Sequence, residues 1–195
     1  MYKFIAFIRV FWGVFWVIFL TFLFAPILSQ AAAEEDASST QMSYNPRDDF
    51  RFGVGSVVGG PFGVIGIVGD MNWYSTINAE IGVGTGIYYD AYVLQGRYLI
   101  LDHAFTPYVG AGLTYWASTQ NGPKTAQNSE PAVKLGLVKQ DGSQLKNGIV
   151  LLPLALGIHY MSDLGLCLFA DVEFLVSTSN ANGTPYGALG FQWYF

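Results

Sequence analysis

The sequence predicts an all-β protein, an eight-stranded antiparallel transmembrane β-barrel that follows a helical signal peptide. Three observations predict this fold. After residue 33, the chain consists largely of segments about ten residues long in which apolar residues alternate with small or polar ones. Aromatic residues make up 16% of the chain, and several of them lie at the ends of these segments, whereas only 12% of residues are charged. A strand that crosses a membrane as part of a closed barrel has this pattern.

The first 33 residues have the organisation of a secretory signal peptide. Basic residues precede an apolar run over 10–28, and the small residues over 29–33 resemble a cleavage site. We therefore expect the segment to be removed by cleavage after Ala31 or Ala33. A retained membrane anchor is the alternative, because the apolar run approaches the length that spans a bilayer.

The remaining chain divides into a polar lead-in and the barrel. Residues 34–47 are polar and without periodicity, so we expect a flexible lead-in on the periplasmic side. The barrel is assigned to residues 48–195. Its eight strands are predicted at 50–58, 63–74, 79–87, 91–101, 107–117, 149–160, 165–176 and 186–195.

The distribution of apolar side chains over the strand faces indicates lipid outside the barrel. From Val150 to Tyr160, every even-numbered residue is apolar, and the segment from Leu166 to Val176 repeats this arrangement. A soluble sandwich or a lipocalin-like barrel is the alternative, but those folds place apolar residues inside. Here nearly all charges within the strands lie opposite complete apolar faces, which favours a barrel in a membrane.

Loop lengths predict the orientation. The connections at 75–78, 102–106 and 161–164 are short, whereas those at 117–148 and 177–185 are long. Outer-membrane barrels have short turns in the periplasm and longer loops outside, so both termini are expected on the periplasmic side. Two further outer loops, predicted at 59–62 and 88–90, are tight.

Charge and cysteine content exclude several classes of function. The net charge is -5 and the pI is about 4.8, which excludes a nucleic-acid partner. The single cysteine, Cys167, allows no internal disulfide and no zinc cluster. The two histidines lie too far apart in the sequence to define a metal site. We therefore expect neither a metal site nor a cofactor.

The alternation also predicts a network of charged residues inside the barrel. Glu80 and Arg97 lie on adjacent strands, and Asp70 is expected to approach Arg51. A barrel of eight strands is nearly filled by its own side chains, which disfavours a wide pore. Ion pairs that close the interior are one interpretation, and a polar conduit gated by these groups is the other. The inward-facing residues of this predicted network are Arg51, Asp70, Glu80, Arg97, His159, Asp171 and Glu173.

The long 117–148 loop contains every lysine that follows the signal peptide. Cations at this position could pair with the phosphates of lipopolysaccharide, as juxtamembrane basic residues do with anionic lipid. The alternative is that these lysines only keep the loop soluble. The alternation from Val133 to Val138 suggests that the flanking strands extend as a hairpin above the membrane. The lysines of this loop are Lys124, Lys134, Lys139 and Lys146.

The C-terminal residues resemble a known assembly signal. Gly190, Trp193 and Phe195 form a Gly-x-x-aromatic-x-Phe pattern, similar to the signal by which the barrel assembly machinery recognises Gram-negative outer-membrane proteins. The segment from Pro107 to Tyr115 resembles the fifth-strand motif of small outer-membrane barrels of the OmpW, opacity-protein and OmpA transmembrane-domain type. The resemblance spans residues 50–195. It implies an outer-membrane location, with lipid, lipopolysaccharide and the assembly machinery as partners.

These observations predict a structural or surface component of the envelope, or a narrow route for small apolar solutes as OmpW-like proteins imply. Two other functions remain open. The His159 to Asp163 segment is similar to the His/Ser pairing of lipid A deacylases, and the 117–148 loop could act as an adhesin. A serine nucleophile needs its base within hydrogen-bond reach, whereas His159 and Ser162 are three residues apart and run into a turn. We therefore expect no enzymatic activity.

Overall fold

The computed structural model of the chain describes residues 45–119, 130–139 and 147–195. The predicted signal peptide, most of the predicted lead-in, Lys124 and Lys146 lie outside the described residues. In the described part, no helix is long and apolar enough to cross a membrane.

The eight strands form one closed antiparallel barrel, as predicted. Each strand pairs with its neighbours in the sequence, and the last strand pairs with the first. The strands are β1 (Phe52–Gly59), β2 (Ile65–Tyr74), β3 (Ile77–Thr85), β4 (Tyr89–Leu99), β5 (Phe105–Ser118), β6 (Gly148–Met161), β7 (Leu166–Ser177) and β8 (Gly183–Tyr194). Between them lie a 3-10 turn at Gly60–Phe62 and the helix α2 (Glu130–Lys134), and the helix α1 (Pro46–Asp49) precedes β1.

The strand faces follow the predicted alternation. Buried and exposed residues alternate along β4 without interruption, and the exposed residues include the large side chains of Tyr92, Leu94 and Tyr98. Ile67 and Ile81, for example, are 68% and 66% exposed. An apolar exterior of this extent suits lipid, while closure of the sheet pairs the backbone without leaving an edge.

The β2–β3 hairpin is tighter than predicted. Tyr74 pairs with Ile77, so the connection has two residues rather than the four expected over 75–78. Asn72 and Asn78 are cross-strand partners inside the barrel, and the Asn78 side-chain amide donates to Asn72 Oδ1 at 3.1 Å. Asn78 therefore belongs to a strand, although asparagine is more typical of a turn.

The two ends of the barrel are covered in different ways. We call the end where β1 begins and β8 finishes the terminal end, and the opposite one the loop end. At the terminal end, α1 folds against the opening: Asn45 and Arg47 are 3% and 1% exposed. The expected flexible lead-in over 34–47 therefore does not extend through these residues, because they pack against the barrel.

The loop end is covered by the 3-10 turn and by the segment from α2 to Val138. The predicted hairpin over Val133–Val138 is wrong: the segment begins in α2 and then turns inward, with Leu135 and Leu137 fully buried. The inner glycines of β3 make room for the 3-10 turn, because a Cβ at Gly84 would clash with the Phe62 carbonyl oxygen. Apolar side chains therefore seal this end.

Candidate functional site: the charged interior

Arg97 lies at the centre of the barrel interior and pairs with two carboxylates. Its Nη2 is 2.6 Å from Glu80 Oε2, and its Nη1 is 3.8 Å from Asp70 Oδ1. All three side chains are at most 1% exposed. The register makes Asp70 and Glu80 cross-strand partners, so one guanidinium serves two adjacent carboxylates. Removing one partner of such a buried pair leaves a charge without compensation.

Aromatic rings and an amide hold this centre in place. The Arg97 guanidinium lies 4.1 Å from the ring centroid of Phe169 and 5.2 Å from that of Tyr108. Both distances are within the range of a cation–π contact. Gln192 Nε2 donates to Asp70 Oδ2 at 2.6 Å and to Glu80 Oε2 at 3.3 Å. The carboxylates are therefore oriented by β8 as well as by Arg97.

Asp171 and Glu173 lie on the same inward face of β7 and have fewer partners. The Tyr108 hydroxyl donates to Asp171 Oδ2. Gln95 Nε2 donates to Glu173 Oε1 at 3.5 Å, which is long for a hydrogen bond. Asp171 Oδ1 and Glu173 Oε2 have no hydrogen-bond partner among the described residues. Asp70 Oδ1 and Glu80 Oε1 also lack a hydrogen-bond partner among these residues. Asp171 and Glu173 therefore differ from the pair bound to Arg97 in their lack of an ion pair among the described residues.

Arg51 is not part of this network, contrary to the prediction. Its side chain is exposed, and β1 begins one residue later, at Phe52. Position 51 therefore lies at the rim of the barrel, where the alternation no longer directs a side chain inward. The expected approach of Asp70 to Arg51 is wrong; Arg97 is the partner of Asp70.

Arg47 is the second interior arginine, and sequence reasoning missed it. Its Nη1 donates to the His103 carbonyl oxygen at 2.6 Å and its Nη2 to the Ala104 carbonyl oxygen at 3.1 Å. Burial lowers the pKa of Arg47 from its ordinary value, but a guanidinium this basic stays charged. The sequence does contain a signal for the helix that carries Arg47: Asn45 is a typical N-cap residue, and Pro46 occupies the first helical position.

Arg47, His159 and Cys167 form a buried chain of contacts at the terminal end. Arg47 Nη2 lies 2.8 Å from His159 Nδ1, and Cys167 Sγ lies 3.0 Å from His159 Nε2. Arginine only donates, so Nδ1 must accept, and a neutral imidazole then has its proton on Nε2. His159 therefore donates toward the thiol and cannot remove its proton. This arrangement excludes a cysteine nucleophile activated by His159.

The structure does not bring His159 and Ser162 together. His159 points into the interior, whereas Ser162 Oγ accepts from the backbone N–H groups of Leu164 and Leu166 at 3.3 and 3.1 Å. The hydroxyl thus stabilises the β6–β7 turn. The His/Ser pairing that the alternative of a lipid A deacylase would require has no geometric basis here.

Replacement of Arg47 tests the cover at the terminal end. We expect Arg47→Ala to increase the rate at which a maleimide labels Cys167 by about ten-fold or more. Destabilising the closed state by about 1.4 kcal/mol increases the population of the open state, in which Cys167 is accessible, tenfold. Cys167 is the only cysteine, so labelling reports on this site alone. Asp48→Ala, on the exposed side of α1, is the control and should leave the rate unchanged. Equal labelling of the two variants would contradict a sealing role for Arg47.

The remaining predicted site residues lie at the two ends. Lys134 and Lys139 are exposed at the loop end. At the terminal end, Trp193 and Phe195 face outward, 49% and 67% exposed, whereas Gly190 faces inward beside the Phe169 ring. The backbone of Phe195 exchanges hydrogen bonds of 2.8 and 3.3 Å with Phe52, so the C-terminal residue also closes the barrel.

The fold and its interior define a small transmembrane β-barrel with a charged, internally paired core. No family model matches the chain, and no curated protein matches it. Among solved structures, the N-terminal β-barrel domain of Pseudomonas aeruginosa OprF matches with a TM-score of 0.52 and 14% identity, over 74% of this chain and 96% of that one. Ail of Yersinia pestis has a TM-score of 0.40 at 9% identity, over 74% and 97%. The outer-membrane enzyme PagL has a TM-score of 0.36 at 12% identity, over 73% and 97%. The OprF match shows that the chain has the fold of a small outer-membrane β-barrel.

Proposed function

We propose that this protein is a structural component of the Gram-negative outer membrane, without enzymatic activity, whose barrel is closed to solutes. The closed β-barrel fold supports a location in the outer membrane. The observation that carries the closed barrel is the position of Arg97, which lies across the interior between Glu80 and Phe169 and is 2% exposed. The covers at both ends add to this barrier.

A route for small apolar solutes fits the interior less well. The middle of the barrel holds Arg97 and four carboxylates rather than an apolar surface. An apolar solute passing there would separate charged groups from their partners without replacing their hydrogen bonds. A conduit would therefore require a rearrangement of both the Arg97 pairs and the apolar cover at the loop end.

Conductance of the purified protein in planar bilayers tests the closed barrel. We expect no lasting conductance steps from the wild-type protein, because the paired charges and the two covers leave no continuous water path. Heat-modifiable mobility in a gel provides the control that the inserted protein is a folded barrel. Reproducible, long-lived steps from folded wild-type protein would overturn the proposal and favour a conduit.

The proposed orientation places both termini in the periplasm and the loop end outside. The short turns at the terminal end support it. In this orientation, Lys134 and Lys139 face the outer surface, where lipopolysaccharide phosphates are the proposed partners. The barrel assembly machinery is the proposed partner during biogenesis, through Gly190, Trp193 and Phe195.

A further inference from the structure

The interior of the barrel contains more negative than positive charge. Asp70, Glu80, Asp171 and Glu173 are all buried, whereas Arg97 is the central cation and Arg47 contacts His159 at the terminal end. Arg97 binds Glu80 at 2.6 Å and Asp70 at 3.8 Å, so its closest contacts are on the β2–β3 side. Among the described residues, Asp171 and Glu173 on β7 form no ion pair within 4.0 Å. Buried charges are normally paired or bound to a metal ion.

The strands beside β7 satisfy these two carboxylates only in part, although Tyr186 on β8 is a cross-strand partner of Glu173. On the inward face, the cross-strand partner of Asp171 on β8 is Ala188, and the partner of Glu173 on β6 is Ala155. The side chains of these alanines cannot donate a hydrogen bond, although the Ala188 backbone N–H donates to Asp171. A Cβ built on Gly60 would lie 3.2 Å from Glu173 Oε2, so this oxygen points toward the 3-10 turn. The two side chains therefore face the interior with one unpartnered oxygen each.

Gln95, whose amide nitrogen contacts Glu173, contributes a further unpartnered oxygen to the interior. The Gln95 side chain is 2% exposed and its Nε2 contacts Glu173 Oε1, yet its Oε1 has no hydrogen-bond partner among the described residues. The Thr114 hydroxyl, 1% exposed on the inward face of the neighbouring β5, is also without a partner there. Carboxylate, amide and hydroxyl oxygens are ligands of hard cations. A buried amide oxygen is costly unless a hydrogen-bond donor or a cation binds it.

We propose that Asp171 and Glu173, together with the Gln95 side-chain oxygen, form an internal binding site for a hard cation of the Ca²⁺ class. The expectation from the sequence was that the chain has no metal site. Among the described residues, no three His, Cys, Asp or Glu side chains converge as a metal site. This site therefore needs neutral oxygens to complete the six to eight that Ca²⁺ takes. Because both ends of the barrel are covered, the cation enters as the barrel closes during folding.

Refolding in the presence of the metal tests the site. The purified protein is unfolded and refolded in detergent with Ca²⁺ at about 1 mM, the weak limit of extracellular calcium sites, or with a chelator, and then freed of external metal by gel filtration. We expect about one Ca²⁺ per folded chain by elemental analysis, and a higher thermal midpoint than that of protein refolded with the chelator.

Two variants decide whether this metal is at the proposed site. Glu173→Gln keeps the shape but removes a charge, so it should lose the bound Ca²⁺ and the calcium-dependent shift. Asp163→Asn removes an exposed carboxylate from the β6–β7 turn and should keep both. Folded wild-type protein without Ca²⁺ and with one midpoint under both conditions would overturn the proposal. Equal Ca²⁺ content in wild-type and folded Glu173→Gln protein would also overturn it, since the metal would then bind elsewhere.

Discussion

Replacing Arg97 with alanine is expected to lower the free energy of unfolding by about 3–5 kcal/mol, the range for removing one partner of a buried ion pair. The substitution leaves Glu80 and Asp70 side by side in the interior without their cation. It also removes the group that packs on the Phe169 ring. Urea unfolding in lipid vesicles, followed by tryptophan fluorescence, measures the loss.

Arg51→Ala is the matched control for this prediction. It removes the same kind of side chain, but from an exposed position at the rim. A change within about 0.5 kcal/mol is expected, as for surface substitutions away from special features. If both variants lost the same stability, net charge rather than the central ion pairs would be responsible. If Arg97→Ala were as stable as wild type, the pairs would contribute nothing to the fold.

The barrel could be predicted from the sequence because its dominant signal is local. Alternation assigns each strand residue to lipid or interior without knowledge of its partners, and this placed Glu80, Arg97, Asp171 and Glu173 inside. The rule holds only while the chain is a strand. It was wrong at Arg51, which precedes β1, and it was silent about Arg47, whose burial depends on contacts with His159 and with carbonyl oxygens more than 50 residues away.

The covers of the barrel could not be predicted for a related reason. The Val133–Val138 segment alternates like a strand, yet α2 begins at Glu130 and directs Leu135 and Leu137 into the mouth of the barrel. Alternation shows that one face of a segment is apolar, but it does not show whether lipid or protein covers that face. The pairing within the interior could not be predicted either. Alternation places Gln192 and Gln95 on inward faces, but their contacts depend on the register between strands that are distant in the sequence.

Trp116→Ala is expected to have the largest effect at the loop end, about 3–5 kcal/mol for a buried tryptophan. Trp116 is fully buried, stacks on Tyr89 with 3.8 Å between ring centroids, and donates from Nε1 to the Pro61 carbonyl oxygen at 2.7 Å. It thus joins the barrel wall to the 3-10 turn that covers this end. Its loss should expose the turn as well as lower the free energy of unfolding, so limited proteolysis at the loop end accompanies urea unfolding as a measurement.

Trp116→Phe separates the two contributions of this side chain. Phenylalanine keeps an aromatic face toward Tyr89 but has no N–H, so the Pro61 carbonyl oxygen loses its donor, at a cost of about 1–3 kcal/mol. We therefore expect an intermediate loss of stability in this variant. If phenylalanine were as destabilising as alanine, the hydrogen bond to Pro61 would dominate. If neither variant changed unfolding or proteolysis, the 3-10 turn would be held by other contacts, and the apolar segment around Leu135 and Leu137 would have to seal the loop end alone.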